Sequence, residues 1–383
     1  MLKVKHPLRN TFFVCSLVGI LLPACGNGSD SSLPYSDTSE AICPKNIVVQ
    51  TDWWPELEHG GTYQLVGTKG TINKATFRYE GAIQPQYAIG GVETVEIRAG
   101  GDAIGTSVTN VIKTDESITF AYVTLSGAMR VSASSPVVGV AKTLEIDPQV
   151  LYWDPTQTKI SGPEDLKKSS KTVNHFDGMT YIDWFISQGY MTDAQSNPSY
   201  TGAPSDWISQ EGDIIQQGFA TNEIYKYENV YKWKNGAPAP VEYALLSDWG
   251  FRNYPAMLSV RADKLETLRP CLKLLIPKMQ QAWIDYLEEP TPITDLITTI
   301  NDQYDTFWKT SPELNAAGIK ILELNKMAAN SSDGTYCSFD NARVTSMAAI
   351  LRELFIKRGI EVAEDLTSVV NNEFCVDAPS RAD

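Results

Sequence analysis

The residues best suited to chemistry lie in the run Asp52-Trp53-Trp54-Pro55-Glu56-Leu57-Glu58-His59-Gly60-Gly61-Thr62-Tyr63-Gln64. Two adjacent indoles expose apolar surface unless something flat covers at least one, so Trp53 and Trp54 are candidates to stack on a planar ring. Residues along an extended segment point alternately to opposite sides, so one indole should face a cleft and the other the interior. Pro55 interrupts a helix, and Gly60-Gly61 permits a close approach before a short helix near Thr62. His59 then stands at a helix N-terminus, where backbone N–H groups also point, with Tyr63 just inside. The plainer possibilities stay open: core plus rim for the indoles, loop bracing for His59.

Four further positions share that character. Gly100-Gly101-Asp102 could aim backbone N–H groups at a polar edge, or could simply be a turn. Asn174 and Phe176 follow a short strand. Thr221 and Glu223 open a helix, where an acid suits either a ligand's donors or the helix dipole. Trp249, beside Asp248 and near Asn253-Tyr254, could line the return path of the chain or serve packing. Arg98 and Lys142 are the candidates for a positive charge facing an anion.

The chain contains no GxSxG elbow, HExxH pair or Walker loop. Its three histidines include His6 near the start, leaving His59 and His175 far apart in the body. That is thin material for catalysis, and the expectation is a binding protein without cofactor or bound metal. Lys plus Arg is 32 against Asp plus Glu at 46, a net charge of −14, which argues against a general grip on nucleic acid.

The elements that must position these residues alternate. Asn46–Gln50 reads as a buried strand, which places Asp52–Gln64 at a strand's carboxyl end, where open α/β sheets hold ligands. Strands are expected at 76–79, 92–98, 117–121, 137–146, 149–153, 171–174, 216–221 and 241–246. Helices are expected at 62–68, 104–113, 125–133, after Gly162-Pro163-Glu164-Asp165, and at 180–188. Beyond Pro255 the pattern is mostly helical through Phe374. Such alternation implies an α/β fold with parallel-rich sheets.

The first residues read as an address. Lys3, Lys5 and Arg9 precede an apolar stretch from Phe12 to Leu22, too short to span a bilayer. Leu22-Pro23-Ala24-Cys25 is similar to a bacterial lipoprotein cleavage box, with residues 1–24 as signal peptide and Cys25 as the lipidated first residue. Residues 25–43, rich in Gly, Ser and Asp, form a tether. The expected location is the outer face of a cell membrane, lipid-anchored. Cys43, Cys271, Cys337 and Cys375 remain, an even number in an exported chain, which favours two disulfides. Because the ends of a compact domain often lie close, Cys43–Cys375 and Cys271–Cys337 are the expected pairs.

Asp52-Trp53, Pro55, His59-Gly60-Gly61 and Tyr63 resemble the opening of a family of solute-binding proteins of ABC importers. That family holds the thiamine-pyrimidine-precursor binders together with nitrate, alkanesulfonate and riboflavin binders. The resemblance runs on through Gly100-Gly101-Asp102, Gly162-Pro163-Glu164-Asp165-Leu166, Phe219-Ala220-Thr221-Asn222-Glu223, Ala282-Trp283 and Tyr286-Leu287-Glu288-Glu289-Pro290. Asn174-His175-Phe176-Asp177-Gly178 departs from the family's glycine–serine cradle.

The resemblance implies a type II periplasmic-binding-protein fold: two α/β lobes, two strand crossings as hinge, and a ligand cleft between. Lobe 1 would comprise 44–135 and 250–383, and lobe 2 would comprise 136–249. It implies a monomer that delivers a small molecule to permease and ATPase subunits. Glu223 resembles the acid that contacts an aminopyrimidine in the thiamine-precursor relatives. Aromatic and acidic site motifs favour a nitrogen heterocycle, a thiamine-precursor-like pyrimidine or a flavin. Nitrate or an organosulfonate is the alternative within the fold. A pyrimidine synthase, in which His59 would stand like the histidine such enzymes consume, and a surface sensor are the alternatives outside it.

Overall fold

A computed structural model describes residues 41–382. The leader, Cys25 and residues 26–40 of the tether lie outside the described residues.

The strands, in chain order, are β1 (Asn46–Gln50), β2 (Thr71–Asn73), β3 (Arg78–Ala82), β4 (Thr94–Arg98), β5 (Phe120–Val123), β6 (Val137–Ala141), β7 (Gln149–Trp153), β8 (Val173–Asn174), β9 (Ser196–Asn197), β10 (Ile215–Phe219), β11 (Glu242–Leu245) and β12 (Met257–Arg261). They form two sheets, one ordered β2-β3-β4-β1-β5-β12-β6 and the other β11-β7-β10-β8-β9. Each sheet is the floor of one lobe, and the α/β two-lobed architecture is the one the sequence implied. β6, expected in the second lobe, pairs with β12 and lies in the first sheet.

The helices are α1 (Gly60–Gln64), α2 (Val108–Thr114), α3 (Leu125–Arg130), α4 (Glu164–Ser169), α5 (Thr180–Ser187), α6 (Ser205–Ser209), α7 (Glu223–Asn229), α8 (Leu265–Glu288), α9 (Thr291–Tyr304), α10 (Pro312–Leu324) and α11 (Asn341–Lys357). β1 and β7 have the limits read from the sequence. β12 interrupts a region expected to be helical. Met257, Leu258, Ser259 and Val260 are all buried, so the strand shows no polar alternation to betray it.

The sheets are not parallel-rich. β1 is parallel to β4 and β5, and β8 to β9 and β10, but the remaining pairings are antiparallel. The link from β2 to β3 is only residues 74–77, too short for the crossover that a parallel pair needs. β12 returns from the second lobe and enters the first sheet in the opposite sense between β5 and β6.

The chain crosses between lobes over residues 142–148 and 246–256, and the two crossings are tied together. Thr143 Oγ1 donates to the Ala256 carbonyl at 2.8 Å, and Asn253 Nδ2 donates to Asp147 Oδ2 at 3.2 Å. Arg343, on α11, adds a fork. Its Nη1 donates to the Glu145 carbonyl at 2.6 Å and its Nε to the Arg252 carbonyl at 2.8 Å, while Nη2 donates to the Asn253 carbonyl. Its guanidinium lies over the Tyr254 ring at 3.7 Å.

The disulfides differ from expectation: Cys43 pairs with Cys271 and Cys337 with Cys375, with Cα separations of 4.8 and 5.4 Å. Cys43 lies just ahead of β1, its N–H on the Gly90 carbonyl, and α8 passes over that end of the sheet. Cys375 sits against Val140 of β6. β1 and β6 are three inter-strand steps apart, roughly 14 Å. That gap is too wide for the expected Cys43–Cys375 bond.

Candidate functional site

The run after β1 turns at the carboxyl end of the strand, and its residues part company there. Trp54 is 3% exposed and packs edge-on against Phe77, centroids 5.1 Å apart, inside the core. Trp53 is half-buried and faces the other way, into the cleft. Its ring centroid is 5.2 Å from that of Phe176 in the opposite lobe and 5.6 Å from that of Trp308. Phe176 in turn lies 4.9 Å from Tyr200. These four rings wall a cavity of about 300 Å³ whose polar lining includes Asp52, Glu56 and Glu223.

Gly60-Gly61 serves packing. A Cβ on Gly60 would fall 2.1 Å from the Tyr286 ring, and one on Gly61 2.2 Å from the Trp283 ring. The glycines therefore let α1 settle onto α8, and this contact fixes the strand end from which Asp52 and Trp53 project. Tyr63 is buried in the core against Tyr79, centroids 5.8 Å apart, away from the cleft.

Gly100 and Gly101 do not present free donors. The Gly100 N–H donates to the Trp53 carbonyl at 2.9 Å and the Gly101 N–H to the Asp52 carbonyl at 3.0 Å. Gly101 has φ +60, and a Cβ there would meet the Trp53 ring at 2.6 Å, so the loop is a backing plate for that indole. Asp102 is exposed on the outside. The helix expected from Ile104 begins only at Val108, where Ser107 Oγ caps the Asn110 N–H.

His59 is completely buried beneath the cavity wall. Its Nε2 is 3.0 Å from Asp52 Oδ1 and 3.5 Å from Glu56 Oε1, and its ring sits edge-on to Tyr122. Asp52, Glu56 and His59 bring three ligating atoms within 4.8 Å of one another, a spacing that could admit a divalent cation. A metal-bound imidazole normally donates its other N–H to a partner. His59 Nδ1 has no such partner, so the trio reads better as a histidine bracing two carboxylates.

Four carboxylates crowd this region. Burial pushes Glu56 well above the usual carboxylate range, reinforced by Glu58, Asp52 and Glu223 and opposed by Lys226. Burial likewise raises Glu223, whose Oε2 accepts from the Phe219 N–H at 2.7 Å at the start of α7. Glu58 is pushed up to about 7 by burial, partly offset by a hydrogen bond from Thr221 Oγ1. Thr221 belongs to the second lobe and Glu58 to the first, so this bond joins the lobes. Lys226 supplies the local positive charge; burial lowers it to about 8, and its Nζ lies 4.0 Å over the Trp308 ring.

Two other candidates serve structure. Asn174 Nδ2 donates to Gln216 Oε1 at 3.1 Å and Asp206 Oδ2 at 3.3 Å within the second lobe. Trp249 stacks near Trp153, centroids 6.4 Å apart, beside Phe185 of α5. Neither lines the cavity. Arg98 is bound by Glu96 and Asp115, and Lys142 by Glu145 and the Ala329 carbonyl, so neither charge reaches the cleft.

Glu56, Tyr200 and Trp308 are site residues that the sequence reading missed. Glu56 stood in plain view within the opening run; Trp308 and Tyr200 come from distant loops that carry no spacing signal. Next to the aromatic chamber, and sharing Asp52, Thr124, Gln149, Met179 and Phe219 with it, lies a second cavity of about 460 Å³ that reaches the crossings at Asp147 and Asn253.

No protein-family model matches the chain, and no curated protein does. Solved structures match in fold. The zinc-bound ligand-binding component of an ABC-type import system from Staphylococcus aureus superposes with a TM-score of 0.54 at 10% identity, over 88% of this chain and 99% of its own. The alkanesulfonate-binding protein SsuA from Xanthomonas axonopodis pv. citri, bound to MOPS, gives 0.53 at 9% identity, over 86% and 99%. The periplasmic nitrate-binding protein NrtA from Synechocystis PCC 6803 gives 0.50 at 11% identity, over 86% and 87%. At such identities the likeness is one of fold, that of periplasmic binding proteins.

Proposed function

We propose that this chain is the extracytoplasmic solute-binding component of an ABC importer, tethered to the membrane through a lipid on Cys25. It captures a small aromatic nitrogen heterocycle between its lobes, without chemistry, and delivers it to permease and ATPase subunits. The observation that carries the ligand class is the aromatic chamber: Trp53, Phe176, Tyr200 and Trp308 surround Glu56 and Glu223, and no Lys or Arg lines it among the described residues. Rings suit offset or edge contacts with a planar ligand. Buried carboxylates need donors, which an amino or protonated ring nitrogen supplies. Nitrate or a sulfonate would find no Lys or Arg in that lining to pair with, which weakens the oxyanion alternative suggested by two of the structural neighbours.

The deciding experiment is thermal unfolding of the purified protein against hydroxymethyl-pyrimidine, formylamino-pyrimidine, thiamine, riboflavin, nitrate and taurine. A ligand at 100 times its dissociation constant adds about 2.7 kcal/mol, a shift of several degrees. A shift with a heterocycle alone supports the reading. A shift with nitrate or taurine alone overturns the ligand class. Unchanged mass of the heterocycle after incubation separates a binder from an enzyme of pyrimidine synthesis. Stimulated uptake in vesicles with the permease separates an importer component from a sensor.

A further inference from the structure

The second cavity has a different chemistry from the aromatic chamber beside it. Its walls are largely apolar, but among residues such as Val123, Tyr181 and Phe251 they carry hydroxyl and amide groups from both lobes: Thr109, Ser126 and Thr180, with Asn110, Gln149 and Asn253. Several are held in place. Asn253 Oδ1 accepts from the Ser126 N–H at 3.0 Å, while its Nδ2 donates to Asp147, whose other oxygen accepts from the Gln149 N–H at 3.0 Å. Asp147, its carboxyl raised to about 6 by burial, stands at this end of the cleft. The cation at its rim, Arg130, is engaged by Asp183 at 3.4 Å. The two cavities share Asp52, Thr124, Gln149, Met179 and Phe219 in their linings and so lie side by side in the cleft.

Resting on the heterocycle reading, we infer that the ligand has two parts: a planar nitrogen ring in the Trp53–Phe176 chamber and an uncharged, hydroxylated side arm in the Thr180–Asn253 chamber. A bare ring would leave the larger cavity, with the hydroxyl and amide groups on its wall, to water. A hydroxylated arm meets those groups with atoms that both donate and accept. A phosphorylated arm would face Asp147, Asp177 and Asp52 against the single, already paired Arg130.

Calorimetry on the purified full chain tests this with two series: lumichrome, riboflavin and riboflavin phosphate, and cytosine, cytidine and cytidine phosphate. The expected order in whichever series binds is arm-bearing ring tightest, with the bare ring and the phosphorylated compound each at least tenfold weaker. Thr180→Val, close in volume, should lower affinity for the arm-bearing ring severalfold and leave the bare ring unchanged. A bare ring that binds as tightly as its arm-bearing form overturns the two-part ligand, as does a phosphorylated compound that binds tightest. Failure of both series to bind overturns the two-part ligand alone; failure of every heterocycle of the unfolding panel as well overturns the heterocycle reading, so the two failures are distinct.

Discussion

The rings of Trp53 and Phe176 face one another across the cleft, one from each lobe, with centroids 5.2 Å apart. Trp53 thus contacts the opposite lobe, whereas Trp54 beside it is locked into the core against Phe77 and Tyr304. The two alanine substitutions should therefore fail differently. Trp53→Ala should weaken ligand binding by more than tenfold and cost little in unfolding free energy. Trp54→Ala removes a buried indole and should cost about 3–5 kcal/mol, with affinity little changed in whatever protein remains folded. Urea titration paired with calorimetry reads both numbers. Equal affinity losses from the two would remove the division of labour.

The disulfide pattern is open to a direct check. A peptide map without reduction should link Cys43 to Cys271 and Cys337 to Cys375. Cys43→Ser with Cys271→Ser opens a bond spanning 228 residues, and Cys337→Ser with Cys375→Ser one spanning 38. Each double substitution should cost about 2–5 kcal/mol, with the longer loop at the upper end on loop entropy. A map linking Cys43 to Cys375 would contradict the separation of β1 and β6 in the first sheet.

Gly61→Ala tests the seating of α1 on α8. The added methyl would stand 2.2 Å from the Trp283 ring, and Trp283 is enclosed on every side by the core. The expected cost is at least 1–3 kcal/mol. Gly162→Ala is the control, since the atom it would approach is the far end of the Glu164 side chain at 3.1 Å. Equal costs for the two in urea titration would show that the helix contact is not the reason for the glycine.

Much of this site is legible in the sequence because it depends on local order. The strand Asn46–Gln50 carries its hydrophobic run openly, and the turn leaving a buried strand of an α/β fold is where a ligand is held. Alternation along that turn correctly separates Trp53 from Trp54. Phe176 and Glu223, singled out at strand and helix ends, also line the chamber. Gly100-Gly101 offers N–H groups on sequence grounds, but the Trp53 and Asp52 carbonyls of a neighbouring strand end accept them, a pairing that no spacing rule reveals. Trp308 and Tyr200 reach the cleft from irregular connections placed by tertiary packing, and β12 is hidden by burial on both faces. Local periodicity carries no information about such partners. The expected pairing of cysteines fails for the same reason: it depends on strand order across a sheet.

Arg343 should behave as a fork and not as a mere charge. It reaches carbonyls on both crossings, and a lysine cannot span Glu145, Arg252 and Asn253 at once. Arg343→Ala and Arg343→Lys should therefore both destabilise the protein, by about 2–4 kcal/mol, because carbonyls on both crossings lose charge-assisted donors. Rescue by lysine to within about 0.5 kcal/mol, seen in urea titration, would reduce the residue to simple electrostatics.

Glu58 makes stability depend on pH in a direction that can be worked out. Its carboxyl, ordinarily near 4.5, is raised to about 7 by burial, with Glu223 and Asp52 adding to the rise and the Thr221 hydrogen bond partly offsetting it; Glu56 also interacts with it. Between those two values the folded, lobe-closed protein holds a proton that the unfolded chain has released. Stability is therefore full below about pH 4.5 as far as this group is concerned, and is lost as pH rises toward 7, levelling off above it. Glu56 and Glu223 are raised as well and act in the same sense. Glu58→Gln keeps an oxygen for Thr221 and removes the titration. The wild-type midpoint should fall between pH 5 and pH 8, and the variant should lose the part of that fall due to Glu58, ending more stable than wild type at pH 8. Parallel curves for the two proteins would show that Glu58 does not carry the effect and would shift it to Glu56 and Glu223.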